Sequence, residues 1–373
     1  MNVCPTTFND FINGKVFIVA EIGKNFIQTE EERTTAEYLD NAKVLVKAAK
    51  EAGAQAVKFQ THCLDDEIMP IAFDSPHFIG VKRYDWVKRN EVATPLDTFW
   101  APLKAYCDEI GIIFFSTPMS RGAARQLESL QLPFFKVASS DILDFVLLEY
   151  LAQTRKPIII PTGMSSIEEV DSCVQFLQSR DVSFVLLHAI SKYPYSKEES
   201  NLETLLFLKK RYPNIIVGFS QNSPWIEPAI AAVALGARII EQHFTSDRSL
   251  FGPDHKVSML AHEFSQMVQG IERVLHDSEF RTSVLAEAQP YMGKYGKVIN
   301  QAEYGFRPLF RKSLVAAETI PVGVVITSEM LKALRPYGLI GGLPSEAFIH
   351  VCGRLAPRTY QKNDPIGYDI FLS

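Results

Sequence analysis

Eight short apolar runs in this chain end in side chains able to do chemistry: carboxylates, lysines, hydroxyls and imidazoles. Run 16–20 is followed by Glu21, run 56–59 holds Lys58 and leads to Gln60, and run 112–115 leads to Ser116 and Thr117. Run 134–137 holds Lys136 and leads to Ser139 and Asp141, and run 157–160 leads to Thr162-Gly163. The last three runs, 184–187, 215–218 and 238–240, lead to His188, to Ser220 with Asn222, and to Glu241 with His243. A lysine at a strand end is ordinarily a solvated surface group. Lys58 and Lys136, however, sit in Ala56-Val57-Lys58-Phe59 and Phe134-Phe135-Lys136-Val137-Ala138. Burying an ammonium there is costly unless it faces a pocket that takes an anion. Two inward lysines among the hydroxyls of Ser116, Thr117, Ser139 and Ser220 describe a site for a small polyanion, with phosphate beside a carboxylate fitting best. Glu21, Asp141 and Glu241 would then handle protons or the hydroxyls of a second, neutral substrate. His188 and His243 end strands and should face the same side. Glu241 and His243, two apart on one strand face, form the best local metal pair, although the spacing alone is a weak signal.

Such residues converge only if the runs are neighbouring strands. Each run is rich in Val, Ile and Phe, apolar on both faces, and followed by a polar turn and an amphipathic stretch, as expected of strands buried between helices and a packed interior. Three junctions echo one another: Ala52-Gly53-Ala54, Ile110-Gly111-Ile112 and Leu235-Gly236-Ala237. Each places glycine where a helix can end left-handed. Eight such units in the first three-quarters of the chain predict a (β/α)₈ TIM barrel, whose chemistry lies at the carboxyl ends of its strands. The rival open doubly wound sheet would carry a GxGxxG loop after the first strand, and Glu21-Ile22-Gly23-Lys24-Asn25 is not one. An insertion at 62–95 should form a lid or substrate wall. The expected organisation is an α/β barrel over 1–275, a linker over 276–308 and a small C-terminal domain over 309–373.

Composition narrows the function. With 47% hydrophobic and 22% charged residues, the chain is a folded globular protein and not a disordered one. A net charge of −5 without a basic stripe argues against nucleic acid. No apolar run approaches the roughly 18 residues of a membrane span, and Met1-Asn2-Val3-Cys4-Pro5 does not open a signal peptide. Five scattered cysteines without CxxC spacing point to the reducing cytoplasm.

A family resemblance enters through motifs in fixed order. They are Ile18-Val19-Ala20-Glu21-Ile22-Gly23, Ala56-Val57-Lys58-Phe59-Gln60-Thr61, Phe115-Ser116-Thr117-Pro118, Lys136-Val137-Ala138-Ser139, Thr162-Gly163-Met164 and Tyr193-Pro194. Val217-Gly218-Phe219-Ser220, the stretch from Ala234 to Thr245, and Gly252-Pro253-Asp254-His255-Lys256 follow. Together they resemble the sialic acid synthase family, which includes N-acetylneuraminate, legionaminate and pseudaminate synthases. The tail resembles that family's antifreeze-like (SAF) domain through Arg311-Lys312-Ser313-Leu314-Val315-Ala316-Ala317 and Leu334-Arg335-Pro336. The resemblance implies condensation of phosphoenolpyruvate with an open-chain N-acetylated amino sugar such as N-acetylmannosamine, releasing phosphate and giving a nine-carbon α-keto acid. It implies Glu21, Lys58, Lys136 and Asp141 as catalytic residues. Thr117, Ser139, Ser191 and Ser220 would surround phosphoenolpyruvate; Gln60, Tyr193 and Asp254 would lie near the sugar. It further implies a domain-swapped homodimer in which Arg335 reaches the partner's bound sugar.

Three departures matter. Where the family reads Ser-Asp-His-Thr, this chain has Ser220-Gln221-Asn222-Ser223, so Asn222 replaces a histidine that, with His243, would bind a divalent metal (Mn²⁺ or Mg²⁺). Pro161 replaces a serine, and Asn25-Phe26-Ile27-Gln28 replaces Asn-His-Asn-Gly. Three readings of Asn222 stay open: weak metal binding through His243, Asp254 and water; a metal-free enzyme; or an impaired, sugar-binding paralogue. A synthase using another aldose, its phosphate met by Lys82-Arg83, is the alternative within the same fold.

Overall fold

The computed structural model describes residues 15–372; Cys4 and the opening Met1–Pro5 segment lie outside them. Each apolar run becomes a strand: β1 (Phe17–Gly23), β2 (Ala56–Thr61), β3 (Ile113–Pro118), β4 (Phe135–Lys136), β5 (Ile158–Pro161), β6 (Phe184–Ala189), β7 (Val217–Gln221) and β8 (Ile239–His243). Every pairing is parallel. The order is β3-β2-β1-β8-β7-β6-β5-β4. The two ends of that order, β3 and β4, pack side by side, with Phe115 and Phe134 rings 4.7 Å apart, so the sheet nearly closes into the expected barrel. Helices between the strands cover the outside, which is why the runs are apolar on both faces. Gly53, Gly111 and Gly236 all adopt positive φ at the helix-to-strand junctions, as their sequence echo predicts. Cys63, Cys107, Cys173 and Cys352 are free thiols. Among the described residues no helix is long and apolar enough to cross a membrane.

Two additions close the mouth. The insertion folds into a short helix (Leu64–Glu67), a hairpin (Asp74–Ser75 with Phe78–Lys82) and the helix Arg83–Ala93. The stretch expected as a linker is largely helical, over Ser278–Glu287, Gln289–Met292 and Gln301–Phe310. It is also docked: buried Glu303 accepts hydrogen bonds from the amides of Met164 (2.9 Å) and Ser191 (2.7 Å). Beyond it, β9 (Ser313–Ala316) and β10 (Leu331–Leu334) pair antiparallel. This C-terminal unit sits on its own barrel. The Arg335 amide donates to the Glu67 carbonyl, and the Arg335 carbonyl accepts from the Met69 amide. The Arg121 guanidinium reaches the carbonyls of Ser328 and Leu331 at 2.9 and 2.7 Å. These contacts between the C-terminal unit and the barrel are all made within one chain.

His188 departs from its expected position. Alternation along β6 turns Ala189 into the barrel and His188 away from the mouth. There its Nε2 bonds the Ser200 carbonyl at 2.9 Å and its ring stacks on Phe219. Burial pushes the imidazole from 6.5 down to about 3, so it folds neutral. The folded state therefore binds fewer protons than the unfolded chain, and the His188 contribution is complete above pH 6.5 and declines as pH falls toward 3. At pH 5 the loss is on the order of 2 kcal/mol. Urea midpoints should therefore fall between pH 7 and pH 5, and His188→Gln should flatten that decline. An unchanged slope in the variant would contradict the assignment.

Candidate active site

The strand ends and the two additions enclose a cavity of about 140 Å³. Lys58 of β2 and Lys136 of β4 both point into it, and both are buried. They share one carboxylate oxygen: Glu241 Oε1 of β8 lies 3.8 Å from the Lys58 Nζ and 3.7 Å from the Lys136 Nζ. Lys58 is also 2.7 Å from Glu21 Oε2 and donates to Thr117 Oγ1 at 3.2 Å. Ser220 donates to Glu241 Oε1 at 2.9 Å, and Gln60 donates to Glu21 Oε1 at 2.8 Å.

These contacts set the charge states. Burial lowers the Lys136 ammonium to about 8, against the pull of Glu241 and with the repulsion of Lys58. Burial acts against the Lys58 charge too, but Glu21 and Glu241 more than offset it and hold the ammonium above its usual range. Burial opposes ionisation of Glu241, yet Lys136, Lys58 and the Ser220 hydroxyl keep its carboxyl below the usual range. For Glu21 burial wins over Lys58 and the carboxyl is raised. Two adjacent carboxyls are thus pushed apart, one toward the acid and one toward the base, the arrangement that proton transfer requires.

Thr117, Ser139, Ser191, Ser220, Gln60, Tyr193, Asp254, Arg335, Asn222 and His243 all line the same cavity. Asp141 does not, and this corrects its expected catalytic place. After β4 the chain turns through a short 3₁₀ helix, Ser139–Asp141, which drops Asp141 beneath the wall. Both its oxygens accept from the Arg335 Nη2 at 2.9 Å, and Lys312 lies 3.6 Å away. Asp141 is a positioning residue for the capping arginine. The Nε and Nη1 of Arg335 make no hydrogen bond among the described residues, although Glu67 Oε1 lies 3.9 Å from the Nε.

The donors at His243 do not fit a resident divalent ion. Its Nε2 lies 3.2 Å from Asn222 Oδ1, and the Asn222 amide nitrogen is spent on the Ile190 carbonyl at 2.6 Å. Among the described residues no three His, Cys, Asp or Glu side chains converge to hold a metal. One imidazole beside an amide oxygen is a poor set for Mn²⁺ or Mg²⁺.

Lining residues that escaped the sequence reading include Lys24, Ser75, His77, Met119, Ser140 and Phe310. Lys24 follows β1 directly and could have been found by the strand-end rule that found Glu21. Ser75 and His77 come from the insertion, as does Arg83, where periodicity gives no orientation. Lys82 turns outward to Asp74 at 2.7 Å, so of the expected Lys82-Arg83 pair only Arg83 faces inward.

The sequence pattern of the NeuB family matches residues 45–279. Human N-acetylneuraminate-9-phosphate synthase is 30% identical, covering 98% of this chain and 95% of its own. The N,N'-diacetyllegionaminic acid synthase of Campylobacter jejuni is 30% identical over 94% of this chain and 99% of its own. Among solved structures, the spore coat polysaccharide biosynthesis protein SpsE of Bacillus subtilis superposes with a TM-score of 0.77 at 30% identity, covering 96% of each chain.

Gly163, after β5, has a packing reason to be glycine. A Cβ there would lie 2.3 Å from Ser191 Oγ and 2.7 Å from Ser139 Oγ, so the two hydroxyls close over its bare backbone. Gly163→Ala should displace both hydroxyls and raise the KM for the anionic substrate about tenfold or more, with a much smaller change in melting temperature. A variant with unaltered KM would show that these serines do not hold the anion.

Proposed function

Since the chain belongs to the NeuB family, we propose that it is a sialic-acid-type synthase condensing phosphoenolpyruvate with an open-chain N-acetylated amino sugar, N-acetylmannosamine or a close relative. The observation that carries this reading is the Lys58–Glu241–Lys136 arrangement, two ammonium groups on one carboxylate oxygen in a cavity walled by hydroxyls. Phosphoenolpyruvate brings a carboxylate and a phosphate. It would be held by the two lysines and by Thr117, Ser139, Ser191 and Ser220. Arg335, anchored by Asp141, offers its spare N–H groups to the sugar's N-acetyl carbonyl.

In the reaction the C2=C3 π electrons of phosphoenolpyruvate form a bond to the sugar's aldehyde carbon, and the aldehyde oxygen takes up a proton. Glu21, whose carboxyl is raised by burial, is placed to supply that proton. Water adds to C2 and gives its proton to ionised Glu241. The C2–O bond to phosphate then breaks, the C2 hydroxyl loses its proton to the departing phosphate, and the keto acid remains. Tyr193, whose phenol is raised well above 10 by burial and by Asp254, stays protonated and serves as a hydrogen-bond donor at the aldehyde. Fixed donors of this kind do the polarising that a metal would otherwise do.

The test is phosphate release from phosphoenolpyruvate with a panel of amino sugars, with and without a chelator. Turnover should require both substrates and be indifferent to the chelator. Lys136→Met should lower kcat/KM about 100-fold or more. Activity abolished by the chelator would overturn the metal-free part, and failure to bind phosphoenolpyruvate would overturn the reading as a whole.

A further inference from the structure

Glu303 is a buried carboxylate outside the cavity wall, and the chemistry above makes no use of it. It belongs to the helix Gln301–Phe310 and is 1% exposed. Among the described residues no lysine, arginine or histidine comes within ion-pair distance of it, and the Lys297 ammonium feels its field only from further off. Backbone amides compensate the charge instead. Oε2 accepts from the Asn300 amide at 3.1 Å, and Asn300 Oδ1 accepts from the Glu303 amide at 2.9 Å, the reciprocal pair that caps a helix start. Capping accounts for Oε2 alone. Oε1 reaches out of its own element to two amides of the barrel, Met164 at 2.9 Å and Ser191 at 2.7 Å.

Those amides belong to the loops after β5 and β6. Beyond Thr162, whose amide and hydroxyl both reach the Leu187 carbonyl, no hydrogen bond among the described residues joins these loops except through Glu303. Met164 and Ser191 both line the cavity, and the Ser191 and Ser139 hydroxyls close over Gly163 between Thr162 and Met164. Met164 has φ 47°, a left-handed conformation that a residue other than glycine keeps only where its surroundings hold it. The helix holds it at both ends. Glu303 takes its amide, and Arg307, one turn further on the same helix face, donates to its carbonyl at 2.7 Å. Arg307 is pinned in turn by both oxygens of Glu169.

We propose that Glu303 is a positioning residue for the anionic substrate: by tying the loops after β5 and β6 to one carboxylate oxygen, it sets the Ser191 hydroxyl over the Gly163 turn where that substrate binds. This rests on the synthase reading above and assigns its first substrate a dependence on a residue that never touches it. A carboxylate oxygen suits the task because its bonds to amides are charge-assisted and therefore short and stiff.

Calorimetric titration of phosphoenolpyruvate into the wild-type protein and three variants separates positioning from plain structural support. Glu303→Met keeps the length of the side chain but accepts nothing, and should weaken phosphoenolpyruvate binding about tenfold or more. Glu303→Gln keeps one carbonyl oxygen for both amides and should stay within about threefold of wild type. Asn300→Ala removes the cap and leaves Glu303 Oε1 in place, so it should lower the melting temperature without changing phosphoenolpyruvate affinity. The KM for the amino sugar, measured at saturating phosphoenolpyruvate, should be alike in all four proteins. Undiminished affinity in Glu303→Met, an equal loss in Glu303→Gln or Asn300→Ala, or a matching rise in the sugar KM would overturn the assignment. Should Glu303→Met not fold, Glu303→Asp, a methylene short of the two amides, carries the same expectation. Wild-type protein that binds no phosphoenolpyruvate would fail at the earlier step, the synthase reading itself.

Discussion

Burying ammonium groups is the constraint around which this molecule is arranged. An unpaired charge inside a protein costs several kcal/mol, so each must face water, a carboxylate or a bound anion. Lys58 and Lys136 meet the requirement through Glu21 and Glu241, which come from the two strands adjoining across the barrel, β1 and β8. The pairing β2-β1-β8-β7 sets Glu21 opposite Lys58 and Glu241 opposite Ser220, with His243, two residues beyond Glu241, opposite Glu21. Strand order, therefore, is what turns scattered residues into one charge-balanced site.

The same logic ties the C-terminal unit to the chemistry. Lys312 is fully buried and bonds Asp144 and the Met119 carbonyl, each at 2.7 Å. Arg335, also fully buried, is gripped by Asp141. These pairs cost desolvation and would not be chosen for stability alone. They fix the register of the cap on the barrel, and with it the direction in which Arg335 holds its free N–H groups.

Much of this was readable before any coordinates. The eight strands, the barrel and the two inward lysines follow from apolar runs and from the cost of burying charge, because both depend on local sequence. Glu241 and His243 share a face as their spacing requires. What was not readable depends on where irregular segments turn. Asp141 lies two residues beyond Ser139, and a single 3₁₀ turn sends one into the cavity wall and the other beneath it. His188 was misplaced because its distance from the strand's end does not fix which face it takes. Lys82 and Arg83 are adjacent in sequence and face opposite ways, and only the hairpin before them decides which enters the cavity.

The most direct measurement is a crystal structure of the protein soaked with phosphoenolpyruvate. The Nζ atoms of both Lys58 and Lys136 should lie about 2.7–3.0 Å from its carboxylate or phosphate oxygens. Phosphoenolpyruvate bound elsewhere, or one lysine turned away from it, would contradict the site proposed for this chain.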